Sequence, residues 1–246
     1  MSKDLLCRRR FLARIRTGSL QAVSAAGLAA QIIPASALGR DGAVAPSNRI
    51  TLGFIGVGMM GRGHLRCFLQ YPDAQVLAVC DVDRWRREDG KPTVEESYAA
   101  ARPAGRYRGC TAYQDLRPLL NRDDIDAVVV ATGDRWHALA SVMAAKTGKD
   151  VYCEKPASLT ICEAQTMIRT MDRYQRVFQT GLQQRSTPEF IKACRLVRNG
   201  RLGKLKRVYV TFPGTSTHVS LPVEPVPEGL DWDLWLGPAP WQPFNS

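Results

Sequence analysis

A short apolar segment that ends in a glycine-rich turn constrains the fold more than any other feature of this chain. Residues 50–55 read Ile-Thr-Leu-Gly-Phe-Ile, which is typical of a buried strand, and residues 56–61 follow with Gly-x-Gly-x-x-Gly spacing. In such a turn the first glycine permits the tight bend, the second lets the backbone approach a pyrophosphate, and the third lets the next helix pack closely on the strand. The predicted dinucleotide-binding turn consists of Gly56, Val57, Gly58, Met59, Met60 and Gly61.

An acidic residue stands where such a turn needs one. A second strand is predicted over Val76–Cys80, and Asp81 follows it, 20 residues after Gly61. A carboxylate at this position binds the 2′-hydroxyl of the adenosine ribose, and it favours NAD because it repels the 2′-phosphate of NADP. Arg84 lies three residues later and leaves NADP open. The alternative role for Asp81 is that of a strand-end or helix-capping acid.

Strand-like and helix-like segments alternate from Ile50 to Gly181, and residues 125–132 are apolar enough to be a central strand buried on both faces. This alternation predicts the α/β class, with a doubly wound parallel Rossmann sheet. We assign residues 49–185 to the dinucleotide-binding domain.

The pattern changes after this domain. Residues 186–246 are assigned to the first part of an incomplete α+β domain, with a helix over 188–199 and a strand of a different sheet over 205–212. Residues 213–246 contain seven prolines and three tryptophans and show no regular period.

The first 37 residues are typical of an export signal. The sequence Arg-Arg-Arg-Phe-Leu at 8–12 has the twin-arginine pattern, and an apolar segment over 20–33 precedes small residues at 35–37. We predict a Tat signal peptide over 1–37, a linker over 38–48, and a periplasmic or otherwise extracytoplasmic location. The apolar segment is too short and too polar for a permanent membrane anchor.

The net charge of +11 does not indicate a nucleic-acid partner. Residues 1–37 alone carry +5 of it, and no basic stripe interleaved with aromatic residues follows. Six cysteines remain beyond residue 37, without Cys-x-x-Cys spacing, so we predict buried free thiols, with Cys67, Cys80 and Cys153 inside helices or strands. Neither a disulfide framework nor a metal site is predicted.

Two polar clusters follow predicted strands. Residues 132–137 read Thr-Gly-Asp-Arg-Trp-His, and residues 154–156 read Glu-Lys-Pro. An open parallel sheet binds its ligand at the carboxyl ends of its strands, so both clusters are candidate site residues.

These two clusters, the glycine turn, Asp81, residues 181–185 (Gly-Leu-Gln-Gln-Arg) and residues 232–238 (Trp-Asp-Leu-Trp-Leu-Gly-Pro) together resemble the Gfo/Idh/MocA oxidoreductases. The resemblance extends from Arg49 to the C-terminus. It implies a nicotinamide nucleotide on the first domain and a sugar, polyol or related hydroxyl compound as substrate at the junction with a second domain. It also leaves a homo-oligomer open.

The resemblance assigns roles to individual residues. Lys155 is the implied catalytic residue, placed to hold or polarise the reacting hydroxyl or carbonyl, and Glu154 would orient the nicotinamide ribose. Thr132 and His137 would line the path of the cofactor, and Gln183 would also bind it. The alternative for His137 is a polar residue in the first turn of a helix, and His64 and His218 are expected to be structural or solvent-facing.

The chain also departs from the family pattern. Gly133 stands where relatives usually carry proline, and the sequence reaches Ser246 without the Asp and His of the second domain that complete the family's site. We therefore expect a C-terminally truncated member, in which cofactor binding is better supported than turnover. A non-catalytic NAD-binding remnant and an NAD-dependent glycosidase of the same superfamily stay open as alternatives.

Overall fold

The fold is built on one parallel sheet. A computed structural model describes residues 44–101, 107–211 and 221–245 of the chain. Within them six strands pair in the order β3-β2-β1-β4-β5-β6, every pair parallel. The order reverses direction between β1 and β4, which is the switch point where doubly wound sheets bind ligands. The predicted Rossmann sheet is confirmed. The strands are β1 (Ile50–Ile55), β2 (Ala74–Cys80), β3 (Thr111–Tyr113), β4 (Ala127–Val130), β5 (Asp150–Glu154) and β6 (Phe178–Gly181).

Helices alternate with these strands and cover both faces of the sheet. Within the three described ranges, no helix combines the length and the apolar character that a membrane crossing needs. Short 3₁₀ turns cover Pro46–Asn48, Ala99–Ala101 and Gln183–Ser186. The α-helices are α1 (Met59–Phe68), α2 (Arg84–Ser97), α3 (Leu116–Leu120), α4 (Asp134–Lys146), α5 (Ile161–Tyr174), α6 (Pro188–Arg198) and α7 (Trp232–Leu236).

Two apolar clusters hold the helices against the sheet, one on each face. Phe54 of β1 lies in one cluster and its neighbour Ile55 lies in the other, and both are almost completely buried. Consecutive strand residues point to opposite faces, so a strand buried on both sides must be apolar throughout. This explains the continuous apolar segments from which the sheet was predicted.

Helix boundaries follow local capping. The Asp83 side chain accepts a hydrogen bond from the Trp85 N–H, so α2 begins at Arg84 and continues through Pro92. At the start of α5, Thr160 and Glu163 form a reciprocal capping box, in which each side chain accepts a hydrogen bond from the backbone N–H of the other residue.

The strand predicted over 205–212 is absent from its described part. Residues 205–211 form no strand, and all of them are exposed. Alternation of apolar residues is only half of what a strand needs, because its backbone N–H and C=O groups also require a partner strand. No described segment pairs with these residues. Phe212 and His218 lie outside the described residues.

The cysteines divide into two classes. Cys80, Cys110 and Cys153 are buried free thiols, as predicted. Cys67, Cys162 and Cys194 are exposed, so the expectation of a buried thiol is wrong at these three positions. Cys67 lies on α1, but on the side of that helix that faces solvent. Burial raises the pKa of all three buried thiols, that of Cys110 to about 12 and that of Cys153 to about 11.

This division predicts a pattern of alkylation. A thiol whose pKa is raised stays protonated at about pH 8, and the protonated form is not a nucleophile. We expect iodoacetamide to modify Cys67, Cys162 and Cys194 in the folded protein, and the three buried thiols only after unfolding. Peptide mapping by mass spectrometry checks this result. Modification of Cys80 in the native protein at the same rate as Cys162 would contradict it.

Candidate functional site

The glycine turn has no room for side chains at two of its positions. Gly56 follows β1 with φ +88°, and a Cβ there would lie 2.6 Å from the carbonyl oxygen of Ala131. A Cβ on Gly61 would overlap the carbonyl oxygen of Gly56. The turn and the first turn of α1 therefore pack backbone against backbone, which is the close approach predicted from the spacing.

The N-terminus of α1 is open to a ligand. Gly58 is its N-cap residue, and no side chain accepts a hydrogen bond from the first-turn N–H groups. Unpaired N–H groups and the helix dipole at such an end favour a phosphate. A side-chain-free turn leading into an uncapped helix fits the pyrophosphate of a dinucleotide, and these backbone amides would hold it.

Asp81 connects the glycine turn to the end of β2. Its side chain is only 6% exposed, its Oδ2 accepts a hydrogen bond from the Val57 N–H at 2.9 Å, and its Oδ1 accepts one from the Asp83 N–H at 3.0 Å. Each carboxylate oxygen can accept a second hydrogen bond. Asp83, and not Asp81, is the N-cap of α2, so Asp81 combines the role of a strand-end acid with a position in the wall of the cleft.

A cleft of about 350 Å³ opens at the carboxyl ends of β1, β2 and β4. Its volume is at the lower end of the roughly 300–1,000 Å³ that ligand pockets occupy. Val57 and Gly61 lie beneath its surface, since the Val57 side chain is fully buried and Gly61 packs on Gly56. The predicted site residues that line the cleft are Gly56, Gly58, Met59, Met60, Asp81 and Thr132.

Arg84, the residue that left NADP open, does not line this cleft. Its guanidinium pairs with Glu228 at 3.0 Å. Arg86 lines the cleft instead, and a Cβ on Gly58 would lie 3.1 Å from its Nη1. Because Arg86 also pairs with Asp83, its guanidinium is held close to Asp81 and the glycine turn.

A second corner of the site lies at the end of β5. Glu154 is the last residue of that strand and is 4% exposed; its Oε1 lies 2.7 Å from His64 Nε2, and its Oε2 accepts from the Lys155 N–H at 3.2 Å. Lys155 itself is exposed and does not line the cleft. The corner also holds Tyr152, whose pKa is raised by burial and by the charge of Glu154.

His64 is a site residue that sequence reasoning missed. It lies on α1 three residues after Gly61, so it faces the same side of the helix, toward the sheet. The contact between His64 and Glu154 joins the helix that begins at the glycine turn to the strand that precedes Lys155. The spacing of three residues from Gly61 indicated which side of the helix His64 faces. Its partner Glu154 lies 90 residues away in sequence and could not be identified from that spacing.

His137 does not line the cleft. It is 2% exposed, its Nδ1 lies 2.6 Å from the carbonyl oxygen of Pro156, and its Nε2 lies 3.1 Å from that of Thr132. Both ring nitrogens thus lie within hydrogen-bond distance of a backbone carbonyl, and the tautomer decides to which of the two the ring donates. The imidazole joins the loop after β4 to the loop after β5, and it positions both.

Gln183 is not brought to either corner. It is exposed in the 3₁₀ turn after β6 and is absent from the lining of the cleft. Gly181, at the end of β6, meets the site instead, because a Cβ there would lie 2.6 Å from Glu154 Oε1. Absence of a side chain at 181 leaves room for the Glu154 carboxylate.

Residues 228–237, which we call the strap, cross the adenosine side of this edge. The sequence indicated no regular structure here, yet the strap contains α7 and forms a bridge between Asp83 and Leu230. The Asp231 N–H donates to the carbonyl oxygen of Val82, and the Gln114 side chain donates to the Asp231 carboxylate at 2.7 Å. These contacts bring Leu234 and Trp235 into the wall of the cleft.

Changing Asp81 to asparagine tests the role of its charge. An amide has one acceptor oxygen, so one of the two backbone N–H groups loses its partner, and stability should fall by about 1–3 kcal/mol. We expect the affinity for NAD to fall about tenfold and that for NADP to fall less, because the charge that repels a 2′-phosphate is gone. Titration calorimetry with both nucleotides measures this.

Asp89→Asn is the control for this variant, since it removes the same charge from a half-exposed position on α2. It should change neither affinity by more than about twofold. An Asp81→Asn protein that keeps the full preference for NAD would contradict the assignment of Asp81 to the ribose.

Comparison with known proteins agrees with this geometry. Residues 50–182 match the model of an oxidoreductase family with an NAD-binding Rossmann fold, named GFO_IDH_MocA. The α-N-acetylgalactosaminidase of Shewanella oneidensis is 32% identical over 188 residues, which cover 72% of this chain and 38% of that protein. The myo-inositol 2-dehydrogenase of Thermotoga maritima is 30% identical over 153 residues, covering 62% of this chain and 42% of that enzyme.

A solved structure shares the fold. The scyllo-inositol dehydrogenase of Lactobacillus casei, determined with bound NAD(H) and scyllo-inositol, superposes with a TM-score of 0.54 at 22% identity, covering 63% of this chain and 42% of that one. The chain spans less than half the length of each of these three proteins.

Proposed function

Because the chain belongs to the Gfo/Idh/MocA oxidoreductase family, whose model describes an NAD-binding Rossmann fold, we propose that it transfers a hydride between NAD and a sugar, a polyol or a related hydroxyl compound. The observation that carries this proposal is the corner at the end of β5. There Glu154 is buried against His64, and Lys155 extends from the strand end into solvent. The similarity to an inositol dehydrogenase supports the class of substrate.

The residues of this edge divide the work of such a reaction. The amides of the glycine turn and the N-terminus of α1 would hold the pyrophosphate, and Asp81 would hold the adenosine ribose. Bound NAD would supply the hydride acceptor or donor. Removal of a hydride from carbon requires the attached oxygen to give up its proton, which would pass to solvent at this exposed strand end. The Lys155 ammonium would stabilise the negative charge that develops on the oxygen.

Glu154 and His64 would keep Lys155 in position. The Glu154 carboxylate accepts from the Lys155 N–H and pairs with His64, so the backbone from which the ammonium extends is tied to α1. A catalytic group must be held within a fraction of an ångström to be effective. The Glu154 carboxylate would also lie beside the predicted nicotinamide ribose.

A second candidate function is glycoside hydrolysis that uses bound NAD for transient oxidation of the sugar. The observation that favours it is the similarity to an α-N-acetylgalactosaminidase over 72% of this chain. In that case the hydride returns to the substrate, so no reduced cofactor accumulates. Glu-Lys-Pro at 154–156 is the feature that makes us place the dehydrogenase first.

One experiment separates these functions. The purified chain is supplied with NAD and a panel of inositols, sugars and polyols, and the absorbance of reduced nicotinamide is followed; a parallel assay uses a chromogenic N-acetylgalactosaminide. Reduced cofactor that accumulates with a polyol supports the dehydrogenase. Release of the chromophore without net reduction favours the glycosidase, and NAD binding without either reaction would identify a non-catalytic nucleotide-binding chain and overturn the proposal.

A further inference from the structure

Three flat groups are stacked beside the cleft. The rings of Trp232 and Trp235 lie 4.6 Å apart at an interplanar angle of 16°, and the Arg135 guanidinium carbon lies 3.8 Å from the Trp235 ring centroid. Two groups cannot share one face of an indole at these distances, so Trp232 and Arg135 cover opposite faces of Trp235. The stack ends in a guanidinium that lines the cleft.

The position of this guanidinium is fixed by the strap. Its Nε donates to the carbonyl oxygens of Trp235 at 2.8 Å and of Leu236 at 3.1 Å, and its Nη2 also donates to Trp235. One edge of the planar group is thereby occupied by the end of α7. What remains available to a ligand is the open face of the guanidinium and its Nη1.

Arg135 is a cation without a carboxylate partner among the described residues. Desolvation by burial lowers its pKa, and the opposing effect of Asp134 is smaller. Arginine is the residue that proteins use to stack on aromatic faces, because its charge is spread over a plane and is weakly hydrated. A partly buried guanidinium in such surroundings is suited to an aromatic ligand.

Gly133 makes this position of Arg135 available. A Cβ at 133 would lie 2.6 Å from Arg135 Nη1, so any other residue there would push the guanidinium aside. Gly133, at a position where the family resemblance implies a proline, thus leaves space for the Arg135 guanidinium in this chain.

The cleft beside the stack is the adenosine end of the nucleotide site. It is lined by Asp81 and by Leu116 at the start of α3, on the β2 and β3 side of the switch point. Glu154 and Lys155 do not line it. A dinucleotide whose pyrophosphate crosses the glycine turn, with one ribose on Asp81, therefore places its purine in this cleft.

We propose that Gly133, Arg135 and Trp235 form a platform for the adenine base, with the Arg135 guanidinium stacked between the base and Trp235. This inference rests on the nucleotide binding within the proposed function and adds base recognition by a segment 100 residues away in sequence. A phosphate contact through Nη1, which makes none of the contacts with α7, is the competing role, and competition by pyrophosphate distinguishes the two.

Two variants and a control test the platform in the full-length chain. Trp235→Ala removes the support for the guanidinium, and Gly133→Ala displaces the flexible end of the Arg135 side chain. The melting temperature of each variant shows that it is folded. Trp241→Ala is the control, since Trp241 is 69% exposed and does not line the cleft. Binding of NAD and of AMP is measured by calorimetry, and inorganic pyrophosphate serves as a competitor against NAD.

We expect both variants to bind NAD and AMP about tenfold more weakly. Competition by pyrophosphate and binding by Trp241→Ala should not change. Unchanged AMP binding in Gly133→Ala would overturn the platform, as would weakened competition by pyrophosphate, which would assign Arg135 to the phosphates. These binding experiments do not depend on hydride transfer. A chain that binds NAD without turnover would overturn the proposed function but not the adenine platform.

Discussion

Replacement of Gly61 by alanine is expected to abolish detectable NAD binding and to lower the free energy of unfolding by about 3 kcal/mol. The added methyl group would overlap the carbonyl oxygen of Gly56. A Cβ is fixed by its own backbone and the oxygen is a backbone atom, so neither can rotate away. To relieve the overlap, α1 must move off the glycine turn. Such a shift removes the first-turn amides from the position in which they would contact the pyrophosphate.

Gly63→Ala is the matched control for this prediction. Gly63 lies on the same helix two residues later, and a Cβ there meets nothing within 4 Å. Alanine should raise helix stability there by about 0.5–1 kcal/mol and leave nucleotide affinity unchanged. Urea unfolding and calorimetric titration give both quantities. A Gly61→Ala protein as stable as wild type, with NAD affinity within threefold, would contradict the packing of the turn.

Replacement of Lys155 by methionine is expected to reduce the rate of hydride transfer by about 10²- to 10⁴-fold while NAD binding changes less than twofold. Methionine keeps most of the length of the lysine side chain and removes the ammonium. Lys155 does not line the adenosine cleft, and its backbone N–H contact with Glu154 is preserved. The loss should therefore appear in kcat rather than in the affinity for the cofactor.

Lys146→Met controls for the loss of one surface charge, since Lys146 is exposed in the last turn of α4. Steady-state kinetics on the substrate identified in the panel, together with NAD titrations, provide the comparison. Full activity of Lys155→Met would move the catalytic assignment elsewhere. A parallel loss of NAD binding would instead show that Lys155 acts in holding the nucleotide.

The Rossmann sheet and the nucleotide turn were predictable because their signals are local. The strand, the three glycines and Asp81 fall within 32 residues, and each has a defined role in binding a dinucleotide. The partner of His64 was not predictable, because Glu154 meets it only once α1 has packed beside β5. The contacts of His137 were not predictable for the same reason, since the two carbonyls near its ring belong to different loops.

The strap and the failed strand show the same limit from opposite sides. A helix of five residues, such as α7, is too short for periodicity to reveal, and it is held by contacts with Arg135 and Trp136 a hundred residues earlier. The alternation over residues 205–211 is regular but finds no partner among the described residues. Local pattern indicates what a segment can form, and distant neighbours decide whether it does.

His137 connects two loops of the candidate site. Thr132 lines the adenosine cleft, and Pro156 directly follows Lys155. The His137 ring lies within hydrogen-bond distance of the backbone carbonyls of both Thr132 and Pro156. The rigid ring therefore sets the spacing between the loop at the cleft and the loop that carries Lys155. Movement of either loop would therefore disturb the other, although His137 itself does not line the cleft.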